Sequence, residues 1–296
     1  MQRPRRFVWI AACLVAACWA SRLAAVPFAQ SDDPNAAAAR DLSPYDSLDG
    51  IQTLYQPFLV NLAPYEPLYF LMGADPKDSK FQLSFKYRFF NPEEGLGRVH
   101  PWVSHLHLGY TQTSYWDLKS DSQPFEDTSY KPELFYLTDR LAGDADRAGS
   151  LFLQFGFQHE SNGRGESASR STNFAYIKPM WVLHDPDSDL GLVVAPKIWL
   201  YAINDNETNR DLDAYRGYFD VQVKAGKARG LVVDSHLRWA SQGGSVEVNL
   251  TYPLDKILSH NPDFFLHVQY VDALAESLLH YRDRTRAWRI GLAIVR

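Results

Sequence analysis

The sequence predicts an all-β protein, an antiparallel transmembrane β-barrel of about twelve strands. Three observations carry this expectation. The chain is 14% aromatic, with 17 Phe, 16 Tyr and 8 Trp, yet its mean hydropathy is negative. Beyond the first 29 residues, no apolar run approaches the ~18 residues of a spanning helix. In their place are short segments with a two-residue alternation, in which lipid-facing and interior-facing side chains cancel in any hydropathy window. A soluble β-sandwich fits the composition equally well, so the alternation and the amino terminus decide.

Arg3, Arg5 and Arg6 precede an apolar run over residues 7–20, and small residues follow through Ala24 and Ala25. This is the plan of a secretory signal peptide spanning residues 1–29, with cleavage expected after Ala25 or Ala29. Residues 15–18 also read as a lipoprotein box ending at Cys18, a second possibility for the mature amino terminus. Both cysteines, Cys13 and Cys18, lie in this leader, so its removal leaves no disulfide or cysteine metal site. Losing the leader's four arginines takes the formal charge from −5 to about −9, which argues against nucleic acid as a partner.

Residues 30–64 lack clean periodicity and are expected to form an extension ahead of a barrel over residues 65–296. After a first strand at 65–72, the sharpest alternation is Phe81, Leu83, Phe85, Tyr87 and Phe89, ended by Asn91 and Pro92. Leu106, Leu108 and Tyr110 alternate with polar or small residues and run on to Gln112 and Trp116. A polar loop over 119–129 precedes a return strand begun by residues 134–137. Candidate strands follow at 190–203, 215–223, 231–239, 246–252, 264–271 and 288–295, between clusters of Asp, Asn, Gly and Pro. Hydrocarbon forbids open sheet edges, so these strands must close on themselves. His105, His107, His236 and His267 fall on polar phases and are expected inside the barrel or in solvent.

The remaining pair, over 151–181, organises the chain. Leu153, Phe155, Phe157, His159 and Ser161 share one phase, as do Asn173, Ala175, Ile177 and Trp181. Two registers are open. If His159 opposes Asn173, facing residue numbers sum to 332, the loop centres near Glu166, and Ser161, His159 and Asn173 meet on one outer rim. If Asn162 and Gly163 form a two-residue turn, the sum is 325 and Asn173 lies far from His159. The first register collects the hydroxyl, base and base-orienting group of an acyl-transfer site.

The run from His159 through Arg164, followed by Ser169, Arg170, Ser171 and Asn173, resembles the active-site signature of the outer-membrane phospholipase A family. The likeness extends to Gly109–Gln112 with Trp116, to residues 122–125 and to residues 275–278. It departs at Thr172 and Phe174, where the family usually has Trp and Arg. The resemblance implies a twelve-stranded barrel that hydrolyses phospholipid acyl esters on its lipid-facing wall. Ser161 is then the nucleophile, His159 the general base and later acid, and Asn173 the group holding the imidazole, with the Gly163 backbone N–H stabilising the oxyanion. Calcium is implied at a homodimer interface, held by Arg164 and Ser169 of one subunit and Ser122 of the other, with Gln112 in the dimer contact. Glu166 and Glu207 could serve another calcium arrangement. A neutral amide suits the third position, because a carboxylate is costly at a hydrocarbon boundary. The alternative is a non-catalytic barrel, a pore or structural protein that keeps the signature.

Overall fold

Alternation alone gives flat strands, and what turns them into a barrel is the pairing of the last with the first. A computed structural model describes residues 48–54, 56–144, 149–204, 207–258 and 263–296. The expected signal peptide over 1–29, with Cys18 and both cleavage positions, lies outside the described residues, as do residues 30–47 of the expected extension. By contacts the chain divides into Met1–Gln56, whose described part is the helix Leu48–Leu54, and Pro57–Arg296.

In the larger unit twelve strands follow one another: β1 (Leu68–Gly73), β2 (Ser79–Arg88), β3 (Leu106–Trp116), β4 (Phe125–Leu137), β5 (Gly149–Ser161), β6 (Ser171–Asp185), β7 (Leu190–Asn204), β8 (Phe219–Lys227), β9 (Val232–Ala240), β10 (Gly243–Pro253), β11 (Phe265–Leu274) and β12 (Arg284–Val295). Each pairs antiparallel with its sequence neighbours, and β12 pairs with β1, closing the sheet. Closure leaves no edge for lipid to meet. Two short pieces add to it: Leu62–Ala63 pairs with β2, and Ala142–Asp144 with β5.

The alternation sorts side chains as expected. On β5, Phe155 and Phe157 are more than 40% exposed on the outer wall, while Gln154, Gln158 and Glu160 are buried inside. Trp288, Ile290, Leu292 and Ile294 line the outer wall of β12. The interior is polar and ion-paired: Lys80 Nζ sits 3.5 Å from Glu247 and 3.1 Å from Glu276, and Arg289 meets Glu276 at 2.7 Å. His107 and His267 are buried within it, and His267 Nε2 shares a hydrogen bond with Asn249 at 2.9 Å.

Two expectations need correcting. Residues 119–129 are not all loop, because β4 begins at Phe125. Tyr215 is not on a strand: Leu212–Arg216 is a short helix, and β8 starts after Gly217. Gly217 has φ 78°, and a Cβ there would meet the Trp239 carbonyl oxygen at 2.4 Å, so only glycine can break the alternation at this point.

The up-and-down order puts alternate connections at opposite rims. Residues 117–124, 162–170, 207–218 and 275–283 cap one rim. Residues 89–105, 138–144, 186–189, 228–231, 254–258 and 263–264 cap the other, together with the start of β1 and the end of β12. The stretches containing Ser122, Arg164 and Ser169 therefore share a rim.

Candidate active site

The β5–β6 hairpin adopts the register in which facing numbers sum to 332: His159 opposes Asn173 and Ser161 opposes Ser171. Asn162 and Gly163 are not its two-residue turn. Residues 162–170 form a longer loop, closed by the Asn162 N–H donating to the Arg170 carbonyl at 3.1 Å. The buried Asn162 side chain holds this loop from within. Its Oδ1 accepts from Arg164 N at 3.3 Å and Arg170 N at 3.0 Å, and its Nδ2 donates to the Ala168 carbonyl at 2.9 Å. Asn162→Ala strands those backbone groups, and is expected to cost about 1–3 kcal/mol. A lowered midpoint of thermal unfolding, with faster proteolysis inside 162–170, checks this.

His159, Ser161 and Asn173 all lie on the outer phase of their strands. The His159 Nδ1–H donates to Asn173 Oδ1 at 2.9 Å, which leaves Nε2 as the acceptor nitrogen of the ring. Ser161 is two residues further along the same face, toward the rim. Their neighbours Glu160, Thr172 and Phe174 face inward and are buried. Phe174 packs with Phe135, Tyr176 and Trp199, and Lys197 Nζ lies 5.3 Å from its ring centroid. The two positions that depart from the familiar signature thus belong to the interior, on the far side of the sheet from Asn173.

One row of the outer wall runs Gln112, Tyr130, Ser161, Ser171 across β3 to β6. Tyr130 was not singled out by sequence, since only the register brings it beside Ser161. Its ring also packs on Gly163, which has φ 67° and where a Cβ would lie 2.9 Å from a ring carbon. Positive φ and the ring together require glycine there. On the same wall the Tyr110 hydroxyl donates to Gln112 Oε1 at 3.0 Å, and Gln112 Nε2 donates to Ser114 at 3.3 Å.

Arg164 anchors its loop to β4: its guanidinium donates to the carbonyls of Phe125 and Glu126 and lies 3.9 Å from buried Asp127. Ser169 N donates to the Glu166 carbonyl at 3.1 Å, and the Arg170 guanidinium donates to the Ser169 carbonyl at 2.8 Å. Ser122 is exposed in the loop 117–124. There the Ser120 hydroxyl donates to Asp117 and holds its carboxyl below the usual carboxylate range. Glu166 sits at φ 53° in the hairpin loop and Glu207 in the stretch 207–218, both exposed. Among the described residues, no three His, Cys, Asp or Glu side chains gather as a metal site.

Beneath the wall is a pair that sequence reasoning missed. Arg216 donates to both oxygens of Glu160, at 2.6 and 3.4 Å, with both side chains buried. Glu160 lies between His159 and Ser161 in the chain, so this inward contact ties their strand to the stretch 207–218.

A closed barrel with an apolar wall and an ion-paired interior is a protein of the outer membrane, and this one gathers an imidazole, an amide and a hydroxyl on its lipid-facing surface. The chain belongs to the phospholipase A1 family, whose model matches residues 38–294. The phospholipase A1 of Salmonella typhimurium is 32% identical over 231 residues, covering 75% of this chain and 71% of that protein. The Escherichia coli K12 phospholipase A1 is 31% identical over 231 residues, with the same coverage of 75% and 71%. Among solved structures, the Salmonella typhi outer membrane phospholipase dimer with bound calcium is 25% identical with a TM-score of 0.64, covering 82% of this chain and 96% of that one. Family and fold together make the chain a phospholipid ester hydrolase located in the Gram-negative outer membrane.

Proposed function

We propose that the chain is a calcium-dependent phospholipase A that works as a homodimer and uses Ser161 as nucleophile, His159 as general base and later acid, and Asn173 to hold the imidazole. The observation that carries this reading is the 2.9 Å hydrogen bond from His159 to Asn173 on the outer wall, in register with Ser161. With its Nδ1 proton committed to the amide, the ring offers Nε2 to the serine. Ser161 Oγ attacks the acyl carbonyl carbon as its proton passes to Nε2, and the Gly163 N–H donates to the oxyanion. The imidazolium then protonates the departing alkoxide, releasing the lysophospholipid. Water repeats the sequence on the acyl-serine and frees the fatty acid.

A single backbone donor is a thin oxyanion hole, and calcium, when bound, supplies positive charge beside it. The Arg164 carbonyl and Ser169 of one subunit, with Ser122 of the partner subunit, would hold the ion. Gln112 supports dimerisation because its two hydrogen bonds within the chain use one amide proton and one carbonyl lone pair, leaving one of each for its symmetry mate. In this reading residues 1–29 are removed on export, and 30–64 form an extension whose Leu62–Ala63 joins the barrel of residues 65–296 by pairing with β2.

The test is fatty-acid release from phospholipid micelles in calcium and in excess chelator. Turnover in calcium should collapse in chelator, and cross-linking should report dimers only when calcium is present. Undiminished hydrolysis in chelator refutes the calcium assignment.

A further inference from the structure

Two stretches flank the terminal-rim end of β2 and carry large exposed apolar side chains. Before β1, residues 57–63 present Phe58, Val60 and Leu62, which are 70%, 74% and 45% exposed. After β2, residues 89–105 present Leu96, Val99 and Trp102, at 56%, 65% and 59%. Polar and small residues are the ordinary content of a connection at a barrel rim. Six large apolar groups around one strand end are not.

Local structure explains how they come to point outward. In the helix Gly95–Val99, Leu96 and Val99 are three apart and share a face. Gly97 is buried on another face, where a Cβ would lie 2.0 Å from the Asn91 carbonyl oxygen. The following turn, Pro101–His105, buries Val103 and Ser104 and leaves Trp102 out. On the other stretch Leu62 opposes Tyr87 across the pairing with β2, which puts it on the same outer face as Leu83 and Phe85. The apolar surface is thus continuous with the lipid-facing wall.

The wall is also incomplete at this place. β1 has 6 residues. That length is about 20 Å at ~3.3 Å per residue, before tilt shortens it further against the membrane normal. The apolar band of an outer-membrane barrel is about 25 Å tall. Leu62–Ala63 takes up the edge of β2 that β1 leaves, and the two apolar stretches extend the band outward from there. Exposed Arg98 and His100, set among them, suit the phosphate level of the headgroups.

We propose that residues 57–63 and 89–105 form an interfacial anchor, with the headgroup and upper acyl region of the leaflet at the terminal rim as its partner. The anchor completes the apolar belt beside the short β1 and fixes the height of the barrel in the bilayer. His159 and Ser161 stand toward the opposite rim of the same wall, so the anchor also sets their depth.

The experiment uses the full chain with Cys13 and Cys18, its two cysteines, replaced by serine. Val60→Cys and Trp102→Cys are made singly, labelled with an environment-sensitive fluorophore and reconstituted in vesicles of phosphatidylethanolamine and phosphatidylglycerol. Asp187→Cys, in an exposed turn of the same rim, is the reference. The expected result is quenching of both labels by lipids spin-labelled near the headgroup, with several-fold protection from aqueous iodide relative to the Asp187→Cys label. Iodide quenching equal to the reference overturns the proposal. So does shielding from both quenchers, which would mean that another part of the chain or a second copy covers the surface. Two positions on separate stretches keep the test decisive if one variant fails to fold.

Discussion

Ser161→Ala is expected to lower fatty-acid release by about four to six orders of magnitude, the scale on which a hydrolase loses turnover when its nucleophile is removed. Ser161 shares its strand face with His159, two residues toward the rim. Ser171 is a rival, directly opposite Ser161 on the outer wall, but it belongs to the strand that carries Asn173, the residue occupying Nδ1. Ser171→Ala should therefore keep most of its turnover. The barrel should fold in both variants, because Ser161 is half-buried on a wall whose neighbours are held by pairing on both sides. Removing a hydroxyl at a hydrocarbon boundary does not strand a buried donor. The measurement is hydrolysis of phospholipid micelles in calcium, with unfolding temperature in detergent as the control. Turnover in Ser161→Ala within tenfold of the parent would sink the nucleophile assignment, and loss in Ser171→Ala alone would transfer it.

The hairpin's contribution was legible because a barrel wall obeys a two-residue period. Leu153, Phe155 and Phe157 marked the outer face, and any residue in phase with them had to share it. The register was legible only as one of two possibilities. Asn162 and Gly163 have the composition of a tight turn, but a loop of nine residues is favoured by the hydrogen bonds that buried Asn162 makes with Arg164, Ala168 and Arg170. Those contacts form after the chain has folded back, and composition does not carry them. Tyr130 escaped for a similar reason, since its place beside Ser161 depends on an interstrand offset that periodicity leaves free. The alternation through Tyr215 misled because Arg216 and Asp220 fall in one phase. Gly217, with its positive φ, separates them into a helix and a strand.

Arg216→Met is expected to destabilise the protein by about 3–5 kcal/mol, because it leaves a buried carboxylate without its partner. Glu160 is 3% exposed, and Arg216 meets both of its oxygens, one closely at 2.6 Å and the other at 3.4 Å. Replacing both members, as Glu160→Leu with Arg216→Met, removes the two opposed charges together and should return part of the loss, the remainder being the attraction that Glu160 also gives Lys131. The two residues are 56 positions apart, so the pair also fixes the stretch 207–218 to β5. Because Glu160 lies between His159 and Ser161, any shift of β5 moves both outward groups together. The double variant is therefore expected to regain stability before it regains turnover, since apolar packing can fill the space without restoring the two fixed directions of a guanidinium fork. Urea unfolding in detergent, measured beside micelle hydrolysis for the single and double variants, separates the two effects. A single variant as stable as the parent would show that solvent reaches Glu160. A double variant recovering turnover in step with stability would show that the ion pair serves folding alone.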